Sequence, residues 1–220
     1  MIVVSDLEGV LIPEVWAEIA RETGIPELGL TTHDEPDFAR LMERRISILA
    51  RHDLRLPKLQ EIASSVQPYP GAVELLEWMR TKAQVMIASD TFHELSEGIV
   101  LRMGGWSLFA NTFVTDDAGR IRDYRLRIRG RKDRVVRSLK ELGFTIVAIG
   151  DGWNDERILR SAHVPILFNA PDELAARIPG GLLAEHYGHV RRFVEEAHAR
   201  VLREATEIDE AVPAAGRTRE

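Results

Sequence analysis

Short apolar runs alternate with amphipathic segments over most of this chain. Four runs of three to five mainly aliphatic residues are typical of strands buried on both faces of a parallel sheet. They lie at residues 2–4, 84–88, 145–149 and 164–168. Apolar residues at helical spacing lie between them, over residues 72–82, 93–102 and 132–142. The alternation predicts an α/β fold, in which a parallel sheet carries helices on both faces.

A second pattern interrupts this series directly after the first strand. Residues 13–23, 37–52 and 57–65 are predicted helices, and Pro68-Tyr69-Pro70-Gly71 reads as a hinge behind them. We therefore expect a small helical cap over residues 13–69, inserted into a core formed by residues 1–12 and 70–203. The turn Asp116-Asp117-Ala118-Gly119 predicts a hairpin. Residues 204–220 lack periodicity and are expected to form a disordered tail.

Composition excludes several classes of function. The net charge of −6 argues against broad attraction to nucleic acid or anionic membranes. Cysteine is absent, which excludes disulfides, thiolate nucleophiles and thiolate zinc sites. No secretory signal precedes Asp6, and no apolar run is long enough to span a bilayer. We expect a cytoplasmic protein.

Three of the predicted strands are followed by polar residues of a catalytic type. Asp6, Ser89 and Asp151 each come directly after an apolar run. One such residue would be equally typical of a helix cap, but parallel strands share their carboxyl edge, so these three should converge. Glu8 and Asp155 add further carboxylates nearby.

Crowded carboxylates need a cation. Two like charges about 4 Å apart cost on the order of 4 kcal/mol at an effective dielectric near 20. An oxygen-only cluster favours Mg²⁺, and Lys132 in the basic segment is the candidate for a second cation, with Arg131 as its competitor. This set predicts phosphoryl transfer, with Asp6 as the nucleophile that forms an aspartyl-phosphate. Glu8 would act as general acid and base. The phosphate would be held by Ser89, Asp90, Thr91, Asn154 and the backbone N–H groups that open the next helix.

One basic residue of the inserted helices is unusual. On a helical wheel of residues 37–52, Arg45 falls near the middle of the apolar stripe, whereas Arg44 falls to the side. A salt bridge within the cap, or a side chain that runs along the stripe to solvent, would explain it. The functional alternative is a bidentate clamp on a substrate carboxylate.

The order of these motifs resembles that of the haloacid dehalogenase-like phosphatases. Glu8, the acid two residues after Asp6, resembles the phosphatase branch of that family. Finer features are similar to the bifunctional phosphoserine phosphatase/homoserine phosphotransferases. The residues that carry the resemblance are Asp6-x-Glu8-Gly9-Val10, Pro13-Glu14-x-Trp16, Thr31-Thr32-x-Asp34-x-Pro36-Asp37, Ser89-Asp90-Thr91, Lys132, Gly150-Asp151-Gly152-x-Asn154-Asp155 and Ile166-Leu167-Phe168-x-Ala170-Pro171.

The resemblance implies a Rossmann-like core and a role for each matched residue. Asp6 and Asp151 would bind Mg²⁺ through their side chains and Glu8 through its backbone carbonyl. Asn154 and Asp155 would orient those ligands from outside. Arg45 would bind a substrate carboxylate and Glu14 a substrate ammonium, although Glu14 is also a favourable first-turn acid. Phe38 would line the substrate site, although it is equally suited to the core.

The resemblance implies a Mg²⁺-dependent phosphatase of a small zwitterionic phosphomonoester, with O-phospho-L-serine as the expected substrate. Homoserine is expected as a second phosphoryl acceptor. An enol phosphate of methionine salvage is the alternative substrate. Two other classes are a receiver-type signalling domain, which is much shorter and lacks a cap insert, and an inactive scaffold, which would lack a motif residue. The sequence leaves the oligomeric state open, a homodimer included.

Overall fold

The structure is a computed structural model that describes residues 1–32, 34–35, 37–127 and 131–211. Within these residues, seven strands form one sheet in the order β4-β3-β2-β1-β5-β6-β7. Neighbouring strands are parallel, except that β3 and β4 form an antiparallel hairpin. The bounds are β1 (Ile2–Ser5), β2 (Gln84–Phe92), β3 (Ser107–Thr115), β4 (Ile121–Arg125), β5 (Ile146–Gly150), β6 (Val164–Phe168) and β7 (Leu182–Ala184).

Helices cover both faces of the sheet, which confirms the predicted α/β fold. Val3 packs into the hydrophobic cluster on one face, and Ile2 and Val4 pack into the cluster on the other. This is why β1 carries no polar residue before Ser5. The helices are α1 (Val15–Thr23), α2 (Phe38–Arg51), α3 (Leu56–Ala63), α4 (Ala72–Arg80), α5 (His93–Arg102), α6 (Asp133–Glu141), α7 (Glu156–Ser161), α8 (Asp172–Ala175) and α9 (Tyr187–Ala211).

The helices α1, α2 and α3 lie in the segment between β1 and α4, where the sequence predicts a cap. Gly24 ends α1 in the left-handed conformation, with φ of +67°. Asp37 caps α2 by accepting a hydrogen bond from the backbone N–H of Ala39 at 2.9 Å. α1 packs against α3, and α2 packs against β4. The division into a core and a cap domain stays a prediction.

The β3–β4 hairpin contacts these inserted helices. The carbonyl of Gly119 in its turn accepts a hydrogen bond from the N–H of Leu56 at 2.9 Å. Beside it, the Arg120 guanidinium lies 3.1 Å from the carboxylate of Asp53. Further along, Tyr124 meets Phe38 edge-on, with ring centroids 5.9 Å apart. The hairpin therefore joins the edge of the sheet to α2 and α3.

The structure differs from the sequence predictions at three places. β2 continues to Phe92, with a shift in its pairing register between Ala88 and Phe92, so Ser89 lies within an irregular part of the strand. β3 begins at Ser107 and pairs with β2 before it turns into the hairpin, which the sequence pattern did not indicate.

The third difference is the tail. The prediction of disorder from residue 204 is wrong for residues 204–211, because α9 continues to Ala211. Ala, Glu and Arg favour helix, and a helix that is already anchored by packing propagates without a buried face of its own. Residues 212–220 and the motif position Pro36 lie outside the described residues. No helix in the described part of the chain has the length and apolar character needed to cross a membrane.

Candidate active site

Three carboxylates meet at the carboxyl edge of the sheet. Asp6 directly follows β1, Asp151 directly follows the adjacent β5, and Asp155 ends the short 3-10 turn that comes next. One oxygen of each lies within 4.8 Å of the others. Burial, and then the charge of Asp155, raise the pKa of Asp6 well above its usual range. The same two causes raise the pKa of Asp151 to about 7. The structure thus brings together the acids whose convergence the strand pattern predicts, and we name these three the acid cluster.

A buried lysine ammonium lies inside the acid cluster. The Nζ atom of Lys132 is 2.6 Å from Oδ1 of Asp155 and 2.9 Å from Oδ2 of Asp6. Burial alone would lower the pKa of Lys132, but the nearby carboxylates outweigh burial and raise this pKa well above its usual value. The competing residue Arg131 pairs instead with Asp133, at 2.8 Å. Of these two competing residues, Lys132 is therefore the one that reaches the site.

Glycines allow the backbone to approach these acids closely. A Cβ atom on Gly9 would stand 2.0 Å from Oδ2 of Asp151, and Gly9 has φ of +77°, which favours glycine. Asp155 holds the loop after β5, because its Oδ2 accepts hydrogen bonds from the backbone N–H groups of Asp151 at 3.0 Å and Gly152 at 3.3 Å. Asp155 thus both positions the loop and contributes charge.

The end of β2 supplies polar groups to the same edge. Ser89 and Thr91 are buried, and Ser89 Oγ accepts a hydrogen bond from the N–H of Thr91 at 3.4 Å. Asp90 Oδ2 lies 3.4 Å from the Lys132 ammonium. From the other side, the Asn154 amide donates to Oδ2 of Asp6 at 3.5 Å. Asp90 and Asn154 therefore contact the lysine or the nucleophile candidate, whereas Ser89 and Thr91 are buried at the end of the same strand.

The carboxylate of Glu8 extends to the N-terminus of α1 and not into the acid cluster. Its Oε1 accepts a hydrogen bond from the backbone N–H of Val15 at 2.8 Å. Burial, and then the charge of Glu14, raise the pKa of Glu8 to about 7. A carboxyl group with this pKa can both give and take a proton near neutral pH. The predicted ligand role of its backbone carbonyl stays a prediction.

The guanidinium of Arg45 is buried beside Glu8. It lies 4.2 Å from the centroid of the Trp16 ring, and its Nη2 donates to the backbone carbonyl of Leu30 at 2.6 Å. Its Nε is buried and has no hydrogen-bond partner among the described residues. Burial lowers the pKa of Arg45 to about 10, against the opposing charges of Glu8 and Glu14. The charge that the helical wheel of α2 places in the apolar stripe is therefore inside the protein, near two acids.

Glu14 and Phe38 complete the set of predicted residues. Glu14 is exposed at the start of α1, and its charge raises the pKa of both Glu8 and Asp151, so it lies near both. Phe38 is half-buried and its ring packs against Tyr124 of the hairpin. This position agrees with the alternative that Phe38 belongs to the hydrophobic core. A role for Phe38 in lining a substrate site stays a prediction.

Sequence reasoning missed two contributions to the site. It placed Trp16 in a motif of the family resemblance but predicted no contact of its ring with Arg45, and the sole signal for such a contact is its place two residues after Glu14. The carbonyl of Leu30 leaves no trace in the sequence, because every residue has one.

The acid cluster fits a hard divalent cation. Its donors are carboxylate oxygens without histidine, which is the ligand set that Mg²⁺ prefers. Burial, and then the charge of Asp155, raise the pKa of Asp6 and of Asp151 even though Lys132 lies beside them. A second cation between these carboxylates would relieve the remaining repulsion.

Comparisons with known proteins agree with this geometry. The family model of the haloacid dehalogenase-like hydrolases matches residues 1–163. Phosphoserine phosphatase ThrH of Pseudomonas aeruginosa is 39% identical over 197 residues, which cover 90% of this chain and 96% of that protein. A phosphoserine phosphatase of Pseudomonas syringae pv. tomato is 41% identical over 174 residues, 79% of this chain and 73% of its own. The crystal structure of phosphoserine phosphatase from T. onnurineus in complex with NDSB-201 has a TM-score of 0.69 at 26% identity, covering 88% of this chain and 93% of that one.

Proposed function

The chain belongs to the haloacid dehalogenase-like hydrolases, and on that basis we propose that it is a Mg²⁺-dependent phosphatase of O-phospho-L-serine. The observation that carries the proposal is the buried contact of Lys132 with Asp6 and Asp155 at the edge where Asp151 also lies. Two relatives at about 40% identity, both named phosphoserine phosphatases, support the substrate.

In the first step the carboxylate of Asp6 attacks phosphorus. A bond forms between an Asp6 oxygen and phosphorus, and the bond from phosphorus to the serine oxygen breaks. Glu8 gives its proton to the leaving oxygen, so serine departs neutral at its hydroxyl and an aspartyl-phosphate remains. Lys132 offsets the negative charge on the phosphoryl oxygens, and Ser89 and Asn154 hold them.

In the second step water attacks the aspartyl-phosphate. The ionised Glu8 takes a proton from the water as its oxygen bonds to phosphorus, and the bond to Asp6 breaks. Inorganic phosphate leaves, while Asp6 and the protonated Glu8 are regenerated. The pKa of Glu8, about 7, suits both directions of proton transfer.

The metal would be held by Asp6 and Asp151, with the backbone carbonyl of Glu8 as a further proposed ligand. When bound, Mg²⁺ supplies positive charge that keeps Asp6 ionised and offsets the charge of the phosphoryl group. Asp155 and Asn154 would orient these ligands through their contacts with Asp151 and Asp6.

The zwitterionic end of the substrate would contact the inserted helices. Arg45 presents a buried Nε without a partner among the described residues, and a substrate carboxylate would satisfy it. Glu14 lies near both Arg45 and Glu8, where it would bind the substrate ammonium. Phosphoserine carries both groups on the alcohol that leaves.

Phosphoryl transfer to homoserine is the second activity that we propose. Homoserine carries the same carboxylate and ammonium as serine, so the same two residues would hold its hydroxyl where water otherwise attacks. A phosphatase of another small metabolite, such as the enol phosphate of methionine salvage, is the alternative. A cytoplasmic location stays a prediction from the sequence, and the oligomeric state stays open.

The proposal is tested by rates of purified protein with Mg²⁺ on three esters: O-phospho-L-serine, O-phosphoethanolamine and p-nitrophenyl phosphate. We expect the highest kcat/KM for phosphoserine, loss of activity in EDTA, and loss in the variant Asp6→Asn. The variant Asp117→Asn, with the same change on an exposed side chain, is the control. Phosphoserine turnover no faster than that of p-nitrophenyl phosphate would exclude the substrate, and full activity of Asp6→Asn would exclude the nucleophile. Homoserine phosphate formed in a homoserine-supplemented reaction reports the second activity.

A further inference from the structure

We propose that Trp16 and the backbone carbonyl of Leu30 are positioning groups, which hold the guanidinium of Arg45 in the orientation that binds the substrate carboxylate. The inference rests on the proposed function, because it concerns the same substrate. It assigns a role in substrate selection to an indole ring and a loop carbonyl that both contact Arg45.

A buried guanidinium needs favourable contacts on its face and on its edge. The Trp16 ring lies 4.2 Å from the guanidinium carbon, within the range of a cation–π contact. Trp16 is 4% exposed and Arg45 is 5% exposed, so water weakens this attraction little. The ring therefore covers one face of the cation and restricts its plane.

The edge of the guanidinium is fixed by a hydrogen bond. Nη2 of Arg45 donates to the carbonyl of Leu30 at 2.6 Å, and Nη1 lies 3.8 Å from the sulfur of Met42. The carbonyl is a strong acceptor and the thioether a weak one. Nε keeps a buried hydrogen with no acceptor among the described residues. A buried donor of this kind calls for an acceptor, and a carboxylate would supply one.

The loop that presents Leu30 is itself held against α1. The 3-10 turn Pro26–Gly29 precedes Leu30, and a Cβ atom on Gly29 would lie 3.1 Å from the Cβ of Ala20 in α1. Glycine at this position therefore lets the loop approach the helix that carries Trp16. The two contacts on Arg45 come from one compact unit, so they keep the same spacing relative to each other.

Trp16 is also a core residue, and simple packing is the competing explanation for its position. The two explanations differ in what a substitution changes. A packing defect would lower the rate on every phosphate ester together. A misplaced Arg45 would weaken binding only of esters that carry a carboxylate.

The test compares kcat and KM for O-phospho-L-serine and for O-phosphoethanolamine, which lacks the carboxylate, with Mg²⁺ present. The variants are Trp16→Leu, Trp16→Phe, which keeps an aromatic face, and Gly29→Ala, which pushes Leu30 outward. We expect Trp16→Leu to lower the ratio of the two kcat/KM values about tenfold, mainly through KM of phosphoserine. Trp16→Phe should recover most of the ratio, and Gly29→Ala should lower it about threefold. The control Trp78→Leu removes an indole that contacts Arg191 elsewhere, and should keep the wild-type ratio.

Each result decides the proposal. A wild-type ratio near one, also unchanged in Arg45→Ala, would refute the proposed substrate site and this inference with it. A high wild-type ratio that falls in Arg45→Ala but persists in Trp16→Leu would overturn this inference alone. If Trp16→Leu does not fold, the ratios of Trp16→Phe and Gly29→Ala decide, and wild-type ratios in both would overturn the inference.

Discussion

Replacing Asp151 with asparagine is expected to stabilise the metal-free protein near pH 8. Burial and the charge of Asp155 raise the pKa of Asp151 from 3.8 to about 7 in the folded state. The folded state therefore binds a proton more tightly than the unfolded state does. The free energy of unfolding must fall as the pH rises from about 4 to about 7, and the contribution of the protonated carboxyl is lost above the folded pKa. Asparagine has the same shape and no charge to repel.

The magnitude follows from the size of this pKa change. At about 1.4 kcal/mol per pH unit, a carboxyl raised from 3.8 to about 7 disfavours the ionised folded state by on the order of 4 kcal/mol. For a chain of this size, about 1 kcal/mol shifts Tm by roughly 2–4 °C. Since Asp151 is partly exposed, solvent screening reduces the effect. We expect Asp151→Asn to raise Tm by roughly 4–10 °C in EDTA near pH 8.

Thermal unfolding followed by circular dichroism measures this effect. Wild type, Asp151→Asn and the exposed control Asp117→Asn are compared in EDTA near pH 8 and near pH 4.5. The stabilisation should appear only in Asp151→Asn and should largely vanish at the lower pH, where the wild-type carboxyl is protonated. A Tm of Asp151→Asn at or below that of wild type near pH 8 would refute the argument from crowded charge.

Magnesium should reverse the order of stability. Binding to the folded state raises Tm of wild type in proportion to the logarithm of the ion concentration. Asp151→Asn lacks one proposed ligand, so its Tm should change little with added Mg²⁺, and its phosphatase activity should be lost. An equal rise in Tm for both proteins would exclude Asp151 as a ligand.

Three further variants test other parts of the site. Lys132→Met leaves the buried carboxylates of Asp6 and Asp155 without their cationic partner. Its free energy of unfolding, measured by urea denaturation, should be lower than that of wild type by about 3–5 kcal/mol. An unchanged free energy of unfolding would contradict a stabilising role of these ion pairs. Wild-type activity should fall on both sides of about pH 7, because the two steps need Glu8 protonated and then ionised. Glu8→Gln should lower kcat by about 10²–10⁴-fold, and an unchanged pH profile would exclude its role. Gly9→Ala should lose Mg²⁺-dependent activity, because the added Cβ would stand 2.0 Å from the carboxylate of Asp151 and displace it. A variant that kept half of the wild-type rate would contradict this steric argument.

The sequence predicts the parts of the site that follow from regular structure. Asp6 and Asp151 come directly after apolar strands, and parallel strands share a carboxyl edge, so their meeting follows from the pattern alone. Arg45 is recognisable because a charge in the apolar stripe of an amphipathic helix is rare. Lys132 lies beside Arg131 in the chain, and the resemblance to the family separates the two where spacing does not.

What the sequence does not predict depends on irregular backbone and on packing between distant residues. The shifted register within β2 places Ser89 inside the strand, and nothing in the residue types announces such a shift. The tight 3-10 turn that brings Asp155 back toward Asp151 is a second irregular piece of backbone that the residue types do not announce. The continuation of α9 to Ala211 depends on an anchor earlier in the helix, which a local reading of residues 204–211 does not contain.

The contact between the hairpin and the inserted helices has a mechanical consequence. The inserted segment is joined to the rest of the chain at its two ends. If it moved about these two connections alone, strand β4 at the edge of the sheet would not move with it. The backbone bond from Leu56 to Gly119 and the ion pair of Asp53 with Arg120 attach the segment to the hairpin as well. A movement of the segment that opened the site would therefore either break these contacts or carry the outermost strand along. In that case residues of the hairpin would influence turnover through the position of the inserted helices.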